Sequence, residues 1–339
     1  MRLHTVLGAA LLSLSLFAID AEAKTLKIAT ISPDGLGWIK KLRGGMQEVR
    51  SRTDGRVKFK LYPGGVQGDD ITVLRKIRIG QLHGGAVAAG TLTRFYPDLQ
   101  LYNLPLQFQN FDEVDRVREV MDPQIIAGLD EGGMVSFALI ETGFAYVLSN
   151  SPVRSVDDLR RIKAWVPDGD PISVRILGHY GVSPIPLAIT DVLAGLQTGL
   201  IDAVAVPPLV AIALQWHNQV KYLTDMPVMY IYSALALDKK SLHGVSTADR
   251  VAVEEVMNRV LREVDRDNRT DNIKAFDALL ATGIERVSVS GDALAEWRTI
   301  AQKSIIDLTT SGEVSSEGVA AISKLLEQSR VSNAQALAH

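Results

Sequence analysis

The chain has 339 residues, 47% of them hydrophobic and 22% charged, which is enough for two domains with cores of their own and excludes a largely disordered polymer. Thirty-six Lys and Arg against 39 Asp and Glu leave a formal net charge of −3 with no basic block, so neither a nucleic-acid surface nor a polybasic membrane patch is expected. The absence of cysteine removes disulfides, thiolate metal sites and cysteine nucleophiles.

Arg2, the apolar run from Val6 to Ile19 and the small-x-small triplet Ala21-Glu22-Ala23 read as a secretory signal peptide over residues 1–23, cleaved after about Ala23. Later apolar runs are all interrupted well short of the roughly 20 residues that cross a bilayer. The expectation is a soluble protein in the periplasm with no direct membrane insertion. From Thr25 the chain alternates strand and helix patterns. Leu26 and Ile28 share a strand face, Ser32-Pro33-Asp34-Gly35 turns, and Ile39, Leu42, Met46 and Val49 recur at helical spacing. Val57, Phe59 and Leu61 alternate with Lys58 and Lys60. A helix on Ile71, Leu74 and Ile77 follows, then a buried strand from Gly84 to Ala89. Tandem β-α-β-α order predicts a parallel sheet covered by helices. The Gly64–Gly68 turn is not a phosphate loop, because Asp69 and Asp70 already occupy the positive end of the next helix.

A helix from about Asp112 carries Val114, Val117, Met121, Ile125 and Leu129 inward, and strands are expected at Val135 to Ile140 and Ala145 to Ser149. Two strand-turn-helix units then occupy Arg161 to Trp216. In the first, Ile162, Ala164 and Val166 alternate with Lys163 and Trp165. Asp168-Gly169 turns, Asp170 stands at an N-cap and Pro171 at the first helical position. Trp165 and Asp168 therefore fall at the carboxyl end of a strand, where open α/β sheets bind ligands. In the second, a helix capped by Thr190 ends at Gly199, and Ile201 to Val206 is a short strand closed by Pro207-Pro208. A strand from Met229 to Leu237 and helices over about Thr247–Leu280, Gly291–Thr310 and Ser316–Gln328 complete the pattern.

Six motifs in register carry a resemblance: Thr53-Asp54-Gly55-Arg56; Tyr62-Pro63-Gly64-Gly65; Arg78-Ile79-Gly80-Gln81; Leu104-Pro105 with Phe108; Pro152 to Leu159; and Leu196-Gln197-Thr198-Gly199 with Asp202. Over about Lys24 to Leu325 the chain resembles the DctP family, the extracytoplasmic solute-binding subunits of TRAP transporters. The resemblance implies a two-lobed α/β periplasmic binding protein fold (type II-like), its lobes joined by crossing strands and long C-terminal helices. The lobes are expected at 24–145 with about 234–278 and at 146–233 with about 279–330, followed by a polar tail at 331–339. It also implies a small-molecule solute and membrane permease subunits as partners. No cofactor and no metal are expected.

The sequence departs from the family pattern at three ligand-reading places. Trp165 stands where the family's carboxylate-clamping arginine is usual, Ala145 where a second arginine follows the Gly-Phe pair, and Val204-Ala205-Val206 where a polar run is usual. A guanidinium fork is the natural partner of a carboxylate. The expected solute is therefore neutral, aromatic or lipid-like rather than a simple dicarboxylate. The candidate ligand-binding residues are Trp38, Gln67, Phe144, Ala145, Tyr146, Trp165, Asp168, Val206, Pro207 and Trp216. Alternatives are an organic acid held through other polar groups, and a secreted enzyme or sensor input protein on the same fold. No nucleophile elbow or metalloprotease motif is present, so no enzymatic activity is expected.

Overall fold

The computed structural model describes residues 23–336; the signal peptide expected at 1–23 lies, apart from Ala23, outside the described residues, as does the tail beyond 336. Strand β1 (Lys24–Ala29) pairs in parallel with β2 (Val57–Tyr62) and β3 (Gly84–Ala88). Between them run α1 (Gly37–Arg52) and α2 (Asp70–Arg78). The apolar stripe Ile39, Leu42, Met46 and Val49 of α1 is buried, as its helical spacing requires. Helix α3 (Phe111–Glu131) is capped by Asn110, whose side chain accepts from the Glu113 N–H, and β4 (Met134–Ser136) follows it.

The expected strand break at Glu141–Phe144 does not occur. Residues Ile140–Ser149 form one ten-residue strand, β5, that passes between the lobes. Gly143 makes this possible: its φ of +117° belongs to glycine, and a Cβ there would sit 2.8 Å from Asn272 Nδ2. After β5 the chain forms α4 (Val156–Leu159), β6 (Trp165–Pro167), α5 (Pro171–His179), β7 (Ile185–Leu187), α6 (Val192–Thr198), β8 (Ala203–Val206), α7 (Pro208–Ala213) and β9 (Tyr222–Thr224). Asp170 accepts from the Ser173 N–H with Pro171 behind it, and Gly199 closes α6 at φ +69°, both as the local residue types dictate. Thr190 does not cap α6, which starts after a short 3-10 turn instead.

Strand β10 (Met229–Asp238) returns antiparallel to β5 and β3, with a register shift between Ile231 and Tyr232. Helix α8 (Thr247–Ala281) then runs along both lobes. Its first half packs on α1, where a Cβ on Gly45 would meet Val260 at 2.9 Å. Its second half holds β5, Asn268 donating to the Glu141 carbonyl and Asn272 to the Thr142 carbonyl, each at 2.8 Å. Strand β11 (Glu285–Val287) pairs with β9, giving the sheet order β11-β9-β5-β10-β3-β1-β2, while β6 and β7 form a separate parallel pair. Helix α9 (Gly291–Thr310) lies on α5. Helix α10 (Ser316–Ala336), expected to end near Gln328 on the second lobe, continues to Ala336 and returns to the first lobe. There Arg330 binds Glu113, and Ser315 just ahead of it binds Asp98. Among the described residues no helix is long and apolar enough to cross a membrane.

Candidate functional site

A cavity of about 410 Å³ lies between the lobes, bounded by the carboxyl ends of β1 and β3, the first turns of α1 and α2, β6, the start of α5, and β8 with α7. Its wall is mostly aliphatic, with Ile162, Ile172, Ile176, Val206, Val228 and Ile231 among its residues. The described lining contains no Lys, Arg or His, and its ionisable carboxyl groups are Asp69, Asp70, Asp168, Asp170 and Asp271.

Of the residues singled out from sequence, Trp38, Trp165, Asp168, Val206 and Pro207 lie on this wall. Trp165 is fixed rather than free. Its Nε1–H donates to the Leu187 carbonyl at 3.0 Å, and its ring meets Trp216 edge-on at 5.3 Å, so only part of the indole can face a solute. Asp168 is exposed at the rim, while its backbone N–H donates to the Leu187 carbonyl at 3.1 Å.

Gln67, Phe144, Ala145, Tyr146 and Trp216 do not line the cavity. Gln67, in the turn before α2, is directed to that helix, its Oε1 accepting from Lys76 at 2.9 Å. Phe144 belongs to an aromatic core with Phe111 and Tyr230. Ala145 is completely buried, its carbonyl accepting from the Val228 N–H. Tyr146 packs on Phe276 of α8, and Trp216 is buried as the support behind Trp165. Along β5 the residues that do line the cavity are Ile140, Thr142 and Val147, on either side of Gly143 and the register shift opposite Ile231 and Tyr232.

Three lining residues missed at the sequence level hold buried polar atoms without a partner among the described residues: Asp70 Oδ1, Asn103 Oδ1 and Trp297 Nε1. Asp70 is the first residue of α2, next to its cap Asp69, and its Oδ2 accepts from the Ala88 N–H at 2.9 Å. Burial, only partly offset by that bond, pushes the Asp70 carboxyl up to about 7. Asn103 Oδ1 is a buried acceptor left open, and Asp70 Oδ1 accepts when ionised and donates when protonated, so the pair suits a solute with hydroxyl-type donors. The nearby guanidinium groups cannot serve an anion. Arg118 is committed to Asp122 and Asp265, and Arg269 to Asp115 and Glu141, and neither arginine is on the cavity wall. Among the described residues no group of His, Cys, Asp and Glu is arranged to hold a metal.

Comparison with known proteins gives a consistent picture of the fold. The family described as bacterial extracellular solute-binding protein, family 7, matches residues 31–309. The C4-dicarboxylate-binding periplasmic protein DctP of Rhodobacter capsulatus is 23% identical over 311 residues, covering 88% of this chain and 90% of that protein. The sugar acid binding protein of Advenella mimigardefordensis in complex with galactonate superposes with a TM-score of 0.82 at 17% identity, over 91% of this chain and 99% of that one. A TRAP periplasmic solute-binding protein of Chromohalobacter salexigens with bound D-glucuronate gives 0.80 at 20% identity, over 89% and 99%. The solutes in these names are acids, which runs against the expectation of a neutral one.

Proposed function

Because the chain belongs to the DctP family of bacterial extracellular solute-binding proteins, we propose that it captures a small organic solute in the periplasm and delivers it to the membrane permease subunits of a TRAP transporter. The solute enters between the lobes, and the closed arrangement is favoured by the free energy of its contacts with both walls. The protein binds and releases without turnover, and its leader is removed after about Ala23.

The solute itself is proposed to be uncharged or lacking a carboxylate, with an apolar body and one or more donor groups directed at Asp70 and Asn103. The single observation behind this is the cation-free wall with five aspartates. Enclosing a carboxylate there leaves it without a partner, at a cost of several kcal/mol. The positions where the family places arginine are filled by Trp165, held against Trp216, and by the buried Ala145. The relatives' bound acids favour a second reading, an organic acid held by a neutral donor such as the Thr30 hydroxyl, which accepts from the Ser32 N–H and keeps its own proton.

A thermal-shift panel separates the two. Uncharged probes such as indole, benzyl alcohol and 2-octanone are set against succinate, L-malate, galactonate and D-glucuronate. A solute at 100 times its Kd adds about 2.7 kcal/mol and raises Tm by about 4 °C in a protein of this size. The expected responses come from the uncharged set. Stabilisation by the acids alone would establish the second reading.

A further inference from the structure

We propose that the cleft has an apolar branch beneath α5, ending at Trp297, which receives the tail of an elongated solute and supplies the Trp297 N–H to an acceptor on that tail. The proposal rests on the reading of the cleft as the solute site and adds to it a shape and a polarity.

The cavity wall does not stop at Trp165. It continues to Leu159 of α4, to Ile172, Ile176 and Leu177 of α5, to Tyr180 just after α5, and to Trp297 of α9. None of these side chains carries charge, so the branch suits a largely apolar, uncharged group. Trp297 is 3% exposed, yet its Nε1 has no acceptor among the described residues. Its neighbour cannot help: the Tyr180 ring lies 5.3 Å away, and its hydroxyl donates to the Trp297 carbonyl at 3.0 Å. Indole nitrogen is a donor only, and a buried indole N–H usually finds a partner. A water needs two to four polar partners to settle in a cavity, and besides the Trp297 N–H itself the branch side chains offer only the Tyr180 hydroxyl. A carbonyl or ether oxygen carried on an apolar chain meets both requirements at once. Such a solute has donors at the Asp70 end and an acceptor toward the Trp297 end.

The test uses the full mature chain, 15N-labelled at its indoles, titrated with 2-alkanones of six to ten carbons. The chain has four tryptophans, and Trp297→Phe assigns the relevant indole cross-peak by its disappearance. The expected result is a downfield move of the Trp297 N–H on ketone addition. Affinity should also increase up to about fourfold per added methylene until the branch is full. Ile176→Trp, which narrows the branch, should abolish the dependence of affinity on chain length. If the Trp165 indole responds and Trp297 does not, the branch is refuted and the cleft stands. If ketones move neither while D-glucuronate moves Trp165, both readings fall together.

Discussion

Replacing Asp70 with Asn should stabilise the empty protein at pH 8 by about 2–4 kcal/mol and flatten its stability between pH 4 and 7. The sign follows from the direction of the shift. The buried Asp70 carboxyl titrates near 7 when folded and near its ordinary 3.8 when unfolded, so between those values the folded state holds the extra proton. Stability is therefore lost as pH rises through that window, and the penalty is fully present above about 7. The distance from 3.8 to about 7 corresponds to roughly 4 kcal/mol, from which the positive end of α2 subtracts about 1. Asn keeps an oxygen for the Ala88 N–H, and its amide carries no charge to desolvate. Urea melts of both proteins at pH 5 and 8 measure the effect. Equal stability of the two at pH 8 would mean that Asp70 is not held in a dry environment.

The opposite result is expected at Arg118. Its side chain is 9% exposed and makes bonds to Asp122, to Asp265 at 2.9 Å, to the Tyr230 hydroxyl at 3.2 Å and to the Leu139 carbonyl at 3.1 Å. These contacts tie α3 and α8 to the strands that cross between the lobes. Arg118→Leu should cost roughly 3 kcal/mol, the low end for a buried pair, because it leaves the partly buried carboxylates of Asp122 and Asp265 uncompensated rather than merely removing a pair. Burial already raises the Asp122 carboxyl against the opposing pull of Arg118, and without the guanidinium it should rise further. The loss should then shrink as pH is lowered from 8, because protonation of Asp122 removes its unpaired charge. The same urea melts read this difference. A loss that does not depend on pH would assign Arg118 a packing role only.

Much of the fold was legible because the relevant rules are local. Asp170 with Pro171 starts α5 and Gly199 ends α6 through bonds within a few residues, and the apolar spacing of α1, α3 and α8 fixes their buried faces. Trp165 and Asp168 reached the cleft wall for the same reason, since a strand's end is marked in its own residues. What sequence could not supply were consequences of distant packing. The glycine at 143 looks like a turn residue until α8 is known to lie against it, and Phe144, Ala145 and Tyr146 are taken up by Phe111, the Val228 N–H and Phe276, all distant in sequence. Asp70 read as a charge suited to a helix start, which it is, but its burial beside Ala88 depends on β3. Trp297 carried no local signal, because it joins the cavity only through the packing of α9 on α5. Gln67 was placed correctly in the turn before α2, and the Lys76 side chain two turns along decided where it pointed.

The absence of positive charge from the cleft is the claim on which the choice of solute depends, and calorimetric titration at low and high salt examines it most directly. The uncharged probe giving the largest thermal shift and D-glucuronate are each titrated at 20 mM and 500 mM NaCl. The expected result is tighter binding of the uncharged probe, with a negative heat-capacity change from buried apolar surface and an affinity that salt leaves nearly unchanged. Tighter binding of D-glucuronate, weakened at the higher salt, would contradict it and would mean that a cation reaches the solute.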